Sequence, residues 1–284
     1  MSSSWLKLGG WAKNHPLVKA NKTWLRAAYQ GYNELRFRHL LPRNAELKNR
    51  HLGETIYIFT TGRSVNLFDL SRFKGHNTFC CNNFFAHPQI KEANFTYYAH
   101  VEVPIKLQGA PQIPERSPIG YYRCIDKGFT ETQTEMFFHY AAYPLLQGFE
   151  QIKNRPLHFV APRPRLAGDP FDLDPSHKLN SMAGVIYFMM TLSAYMGFKR
   201  IYLIGAGWTL QPVEIGHFYD APKDLEGLDH EAYARQPVEP LHYEFYPHLQ
   251  SLGIEVFNLT PDGHQSPVYP SVTVEQVYKS LETI

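Results

Sequence analysis

The sequence predicts an α/β protein built around one largely parallel β-sheet. Three observations point there. From residue 55 onward, short apolar runs alternate with stretches of helical spacing. Segment 180–198, NSMAGVIYFMMTLSAYMGF, is apolar almost all round, as a helix buried between layers must be. The most hydrophobic strand candidate, RIYLI, runs directly into a glycine turn, GAGW.

Taken in order, TIYIF (55–59) reads as the first strand and NTFCCNNFF (77–85) as the second with its exit. FTYYAHVEV (95–103) is the third. TETQTEMFFHYAAYPLLQGFEQI (130–152) has helical spacing and an acidic first turn, which predicts a helix. LHFVAP (157–162) is a strand ended by proline, 180–198 the buried helix, and RIYLIGAGW (200–208) a strand with its turn. PLHYEFYPHLQSLG (240–253) predicts a helix that Pro247 breaks or kinks. IEVFNLTPDG (254–263) closes the series as a strand and turn. The chain has no internal repeat and no low-complexity tract.

A length of 284 residues with 44% hydrophobic side chains is one large domain, or one domain with an appendage, and supplies ample core. No run approaches the roughly 18 continuous apolar residues of a membrane span. The first residues lack the compact apolar core of a secretory signal, so the expected location is the cytoplasm. Cys80 and Cys81 read as strand residues and Cys124 stands alone, which gives neither a disulfide framework nor a metal-ligand pattern. The net charge of +2 hides an asymmetry: residues 1–50 hold ten Lys/Arg against two acids, and the remainder is acidic. This predicts a basic helical extension over 1–50 carrying Trp5, Trp11 and Trp24, and a main domain over 51–284. Such an extension can lie on the inner face of an anionic membrane or pack on the domain through its tryptophans. Nucleic acid is not an expected partner, because the rest of the chain is acidic and carries no recognition motif.

In open parallel sheets, ligands bind beyond the carboxyl ends of the strands. That rule singles out Thr60, Thr61, Gly62, Arg63 and Ser64 after the first strand. These residues form either a nucleotide loop or an ordinary polar turn. It also singles out Asn82 and Asn83 after the second strand, whose amides both donate and accept or simply form a turn. After the late strand come Gly205, Gly207 and Trp208, then a long segment of little periodicity containing Glu214, His217, Tyr219 and Asp220, a candidate lid over about 209–240. His217 could serve there as general base and the Tyr219 hydroxyl could hold a phosphate; His230 and His242 compete for the base role. Asp172 and Asp174 have the Asp-x-Asp spacing of a metal-diphosphate site, in a proline-rich loop. Arg163 and Arg165 follow a strand and could bind an anion or lie in a solvated loop.

Several of these segments, in this order, resemble one family. Thr60-Thr61-Gly62-Arg63-Ser64-Val65 stands where its members carry a Gly-Asn-Gly-Pro-Ser-Leu-like loop, and Cys81-Asn82-Asn83-Phe84 where they carry Cys-Asn-x-Phe. AGVIYFMMTLSAYMGFKRIYLIGAG (183–207) follows their buried helix and glycine strand, His217-Phe218-Tyr219 their His-Phe-Tyr, and LGIEVFNLTPDG (252–263) their closing strand. The family is the bacterial sialyltransferases of lipooligosaccharide synthesis, with a wider group of sialyltransferase-like glycosyltransferases. That group extends to motility accessory factors and hydroxymethylpterin diphosphokinase-like proteins.

The resemblance implies a single Rossmann-type domain, a variant of the glycosyltransferase A fold, with a lid. It also implies inverting transfer of a sugar, sialic acid or a related sugar acid, from a CMP-linked donor. The acceptor would be a glycan or glycolipid in lipopolysaccharide or capsule synthesis, with a histidine base, tyrosines on the leaving phosphate and no metal cofactor. It places Thr61, Gly62 and Ser64 on the nucleotide, Asn82 on the nucleotide or donor sugar, and Gly184 at the helix start beside it. The sequence departs from the pattern in its first loop, at Gly207 where the family has an acid, and near Ala99 or His100 where the family has an asparagine. Two other readings stay open: a pterin-type pyrophosphokinase using ATP and magnesium, supported by Asp172 and Asp174, and a non-catalytic nucleotide-sugar-binding protein.

Overall fold

A computed structural model describes residues 31–32, 35–102, 117–163, 165–166, 168–179, 184–206, 216–221, 226, 240–260 and 265–282. Its centre is an eight-stranded sheet of order β5-β4-β3-β2-β1-β6-β7-β8. The strands are β1 (Thr55–Phe59), β2 (Thr78–Cys81), β3 (Tyr97–His100), β4 (Glu135–His139), β5 (Leu157–Val160), β6 (Arg200–Ile204), β7 (Glu255–Leu259) and β8 (Ser271–Val272). Every pairing is parallel, with β1 held between β2 and β6 in the registers Tyr57↔Thr78 and Thr55↔Arg200. The α/β class and largely parallel sheet read from the sequence are therefore those observed. The strand order reverses direction between β1 and β6, which makes the carboxyl edge there a topological switch point.

Alternate residues of each strand sort to opposite faces. Tyr57, Phe59, Cys80, Tyr98, Met136, Phe138, Tyr202 and Ile204 join one core. Ile56, Ile58, Phe79, Cys81, Tyr97, Ala99, Phe137, Ile201 and Leu203 join the other. Four longer helices cover these faces: α1 (Pro118–Gly128), α2 (Val185–Tyr195), α3 (Pro240–Ser251) and α4 (Val274–Leu281). Helix α2 buries nearly every side chain, which explains its all-round apolar sequence. Helix α3 accommodates Pro247 within its span rather than ending there. Ser117 starts α1 by accepting the Gly120 amide, and Thr273 and Gln276 form a reciprocal capping box at the start of α4.

One expectation is corrected. The helix predicted over 130–152 is instead β4 followed by short helical turns at Tyr140–Ala142, Tyr143–Leu146 and Glu150–Lys153. Its backbone finds parallel partners on both sides, β3 and β5, and that pairing overrides the helical spacing of its apolar residues. Elements α1, α4 and β8 were not anticipated. Residues 37–50, within the predicted 1–50 extension, pack against the domain. Residues Arg38–Leu47 coil as a 3₁₀ helix that buries Leu40, Leu41 and Leu47, and the Asn44 amide donates to the Phe159 and Pro175 carbonyls at 2.7 and 2.8 Å. Residues 1–30, with the tryptophans of the predicted basic extension, lie outside the described residues, as do most of positions 209–240. No helix among the described residues is long and apolar enough to cross a membrane.

Candidate active site

The turns that leave β1 and β6 cross in contact. The Thr60 and Gly62 amides donate to the Ile204 and Gly205 carbonyls at 2.8 and 3.0 Å. A Cβ on Gly62 would collide with the Gly205 carbonyl oxygen, and one on Gly205, at φ +79°, would stand 2.7 Å from the Thr60 carbonyl oxygen. Both glycines are thus required where two backbones pack together. They shape the floor of the switch point, and neither lines the polar cavity beside it.

Beside that crossing, segment 216–221 folds back over the first turn. His217 bridges Gly62 in antiparallel fashion, and the Phe218 amide donates to the Thr61 carbonyl at 2.9 Å. Beyond His217 the chain turns, and the Asp220 amide donates to the His217 carbonyl at 3.1 Å. Phe218 packs into the core against Phe84 and His87, with ring centroids 5.3 and 5.0 Å away. His217 and Tyr219 face the other way, with rings stacked 4.9 Å apart. His217 Nδ1 lies 3.0 Å from Thr61 Oγ1, and its backbone N–H donates to Asp220 Oδ2 at 2.6 Å. Asn83 Nδ2 donates to the Tyr219 hydroxyl at 3.0 Å. Burial, which opposes the phenolate charge, pushes the Tyr219 pKa up to about 12, so it remains a proton donor at neutral pH.

These residues line a polar cavity of about 220 Å³ with Asn82, His100, Glu102 and Tyr121. It sits over the carboxyl ends of β1, β2 and β3, beside the switch point. Asn82 adopts a positive φ of 50°, and its carbonyl accepts from the Tyr98 hydroxyl at 2.8 Å, while its buried Oδ1 has no partner. His100 is 2% exposed, and neither ring nitrogen has a hydrogen-bond partner. Burial, with the nearby His139 adding to it, pulls the His100 pKa down to about 3 and holds the ring neutral. Glu102 stands at the exposed rim, where partial burial of its carboxyl raises its pKa.

Of the residues singled out in the sequence, Thr61, Asn82, Asn83, His217 and Tyr219 come together here. Thr60, Arg63 and Ser64 belong to the same turn but do not line the cavity, with Ser64 buried. Gly184, at φ +105°, precedes α2 and does not line it either. His242 is placed elsewhere: it is fully buried in α3, against the Tyr187 ring, with Nδ1 2.9 Å from the Tyr269 hydroxyl. Gly207, Trp208 and His230 lie outside the described residues. Asp172 and Asp174 sit near Lys199 and Gly197, which precede β6, at the opposite edge of the sheet. Their carboxylates accept the backbone amides of Asp174 and Ser176 at 3.1 and 2.8 Å, in local turns. Arg163 and Arg165 pair with Asp169 and Glu244 at 3.1 and 2.8 Å. Among the described residues, no group of three or more His, Cys, Asp or Glu is arranged to hold a metal ion.

The sequence reading missed Glu102 and Tyr121 as wall residues and met His100 only as a position near which the resembling family has an asparagine. A histidine ending a strand carried a usable signal through the strand-end rule, but Tyr121 lies in a helix that was not anticipated.

Fold and site together define an α/β protein with a polar cleft at the carboxyl edge of a parallel sheet. No protein-family model matches the sequence, and no curated protein matches it significantly. Among solved structures the chain is similar to the sialyltransferase CstII from Campylobacter jejuni, in complex with a substrate analogue, cytidine-5'-monophosphate. The sequence identity is 15% and the TM-score 0.43, over 78% of this chain and 85% of that one.

Proposed function

We propose that this chain transfers a sugar from a nucleotide-activated donor to a hydroxyl acceptor, with His217 as the base. The observation that carries this is the clasp between the turn after β1 and segment 216–221. It fixes His217 and Tyr219 on one side of a polar cavity at the switch point, with Thr61 on the His217 ring and Asn83 on the Tyr219 hydroxyl. In the proposed step the acceptor oxygen bonds to the anomeric carbon with inversion as the bond from that carbon to the donor phosphate oxygen breaks. The acceptor proton passes to His217, and negative charge builds on the departing nucleotide. The protonated Tyr219 hydroxyl is a suitable donor to that charge.

The finer reading follows the sequence resemblance. It takes a CMP-linked sugar acid as donor and a glycan or glycolipid of the cell surface as acceptor, with no metal and with residues 1–50 bringing the protein to the membrane. A pyrophosphokinase has less support, because its aspartate pair caps local turns at the far edge of the sheet. The test is donor hydrolysis and transfer by the full chain with CMP-, UDP- and GDP-linked sugars, alongside melting shifts with CMP, UDP, GDP, CDP and ATP, with and without magnesium. Binding raises stability by RT ln(1 + [L]/Kd). Turnover that survives chelation and vanishes in His217→Ala is expected. Nucleotide binding with no turnover of any donor would leave a binding protein instead.

A further inference from the structure

The inner wall of the cavity is not used by the clasp. We propose that His100, Glu102 and Asn82 form a subsite for an uncharged, hydroxyl-bearing ring, that is, a neutral sugar, and that His100 determines this preference. The proposal rests on the glycosyl-transfer reading; where the ring is the donor's, a neutral sugar replaces the sugar acid of the finer reading above.

A neutral imidazole carries one donor and one acceptor. Both are buried at His100 without a partner, as is Asn82 Oδ1, and an unmade buried hydrogen bond is destabilising in a folded protein. Such groups persist where a ligand completes them. Sugar hydroxyls both donate and accept, so neighbouring hydroxyls of one ring can satisfy the imidazole N–H, its bare nitrogen and the Asn82 carbonyl together. A carboxylate or phosphate brings acceptors only. It would face Glu102, with no Lys or Arg among the described lining residues to receive it. The volume of about 220 Å³ is smaller than the roughly 300–1,000 Å³ of a pocket for a drug-sized ligand, and it suits one ring rather than a whole nucleotide sugar.

That ring can belong to the donor or to the acceptor, and one experiment separates the two. Saturation-transfer NMR on the full chain compares methyl glycosides of neutral hexoses with a methyl hexuronide and methyl sialoside, for wild type, His100→Leu and Glu102→Gln. Neutral rings are expected to bind and charged rings to fail. His100→Leu should weaken neutral binding about tenfold or more while the melting temperature holds or rises, since the leucine removes unpartnered polar atoms. Glu102→Gln, an exposed change that keeps the fold, should admit the charged rings. If His100→Leu also raises KM for hydrolysis of a neutral nucleotide hexose, the ring is the donor's. If only glycan binding falls, it is the acceptor's. Equal or tighter binding of the charged rings by wild type overturns the subsite, as does undiminished neutral binding by His100→Leu, or no binding of any glycoside. Neutral binding through His100 without turnover of any donor would retain the subsite and remove the transferase reading.

Discussion

Two groups of polar side chains, one at each edge of the sheet, are partnered in opposite ways. At the amino edge, Asn44, Arg50, Glu135 and His158 close a network in which every member has partners. Arg50 Nη1 donates to both Glu135 oxygens at 2.9 and 2.8 Å, His158 Nε2 contacts Glu135, and His158 Nδ1 lies 3.3 Å from Asn44 Oδ1. His51 is held likewise, between Glu54 at 3.0 Å and the Tyr97 hydroxyl at 2.6 Å. At the carboxyl edge, the two His100 ring nitrogens and the Asn82 side-chain Oδ1 are buried without a hydrogen-bond partner. A satisfied network locks 3₁₀ helix, strand and loop together; unsatisfied groups lining a cavity are open to a ligand. The difference teaches that burial of a histidine says little about its role, and that its partners say a great deal.

The contrast breaks most sharply if the carboxyl edge proves inert. His217→Ala should therefore lower donor turnover by about 10²–10⁴-fold, the usual worth of a positioned base, while the melting temperature stays put. Turnover within a few-fold of wild type would move the base elsewhere.

Acidification should separate the edges next. Burial pulls His100 down to about 3 and His87 and His139 to about 4, all at the carboxyl side, and His242 to about 4 within the core. The folded state resists a proton that the unfolded chain takes up near 6.5. Their contribution is therefore whole above pH 6.5 and is lost as pH falls toward 4. Each such histidine adds a slope of about 1.4 kcal/mol per pH unit over that window. Denaturant midpoints across pH 4–8 should fall steeply below 6.5, and His100→Leu should flatten the fall by one proton. At the amino edge, hydrogen bonds from His158 and Arg50 outweigh burial and hold the Glu135 carboxyl below its ordinary range. Its contribution is whole above about pH 4.5 and disappears at lower pH, outside the histidine window.

Smaller still is the loss of one member of the closed network. Glu135→Ala strands His158 and Arg50, and because Arg50 is partly exposed the cost is about 2 kcal/mol, or roughly 5 °C in the melting temperature. Glycoside binding at the other edge should not change. A matching loss of binding would mean that the two edges are one cooperative device.

Much of this organisation was legible in the chain and some was not, for identifiable reasons. Six of the strands announce themselves because each is a short apolar run with turn residues after it. Strand β4 did not, since Met136, Phe137 and Phe138 lie within a longer stretch of helical spacing, and only their partners on β3 and β5 decide the matter. Strand β8, two residues long, has no sequence signature at all. In the site, Thr61, Asn82 and Asn83 could be found because the strand-end rule is topological, and His217 with Tyr219 because a long loop of little periodicity after a strand concentrates polar residues in a His-Phe-Tyr run. His100 and His242 could not be ranked. Both are histidines among aromatics, and what divides them is long-range: one nitrogen of His242 meets the Tyr269 hydroxyl, whereas His100 packs on the Tyr121 ring and faces the cavity with neither nitrogen hydrogen-bonded.

Thr61→Val is the finest probe of the comparison, because it deletes a single hydroxyl contact of the carboxyl edge. The substitution keeps the β-branched shape and the backbone link to Phe218, and removes only the hydroxyl 3.0 Å from His217 Nδ1. Losing one neutral hydrogen bond of about 1 kcal/mol predicts a roughly fivefold drop in kcat. KM should hold if Thr61 acts through the histidine ring and should rise if Thr61 touches substrate itself. Thr61→Ser, which restores the hydroxyl, should recover most of the rate. A Thr61→Val enzyme with unchanged kcat and a shifted pH profile would show that the hydroxyl sets the protonation of His217 rather than its position. That result would make the clasp at this edge a closed network in the amino-edge sense, leaving His100 and Asn82 as the unsatisfied part of the cavity.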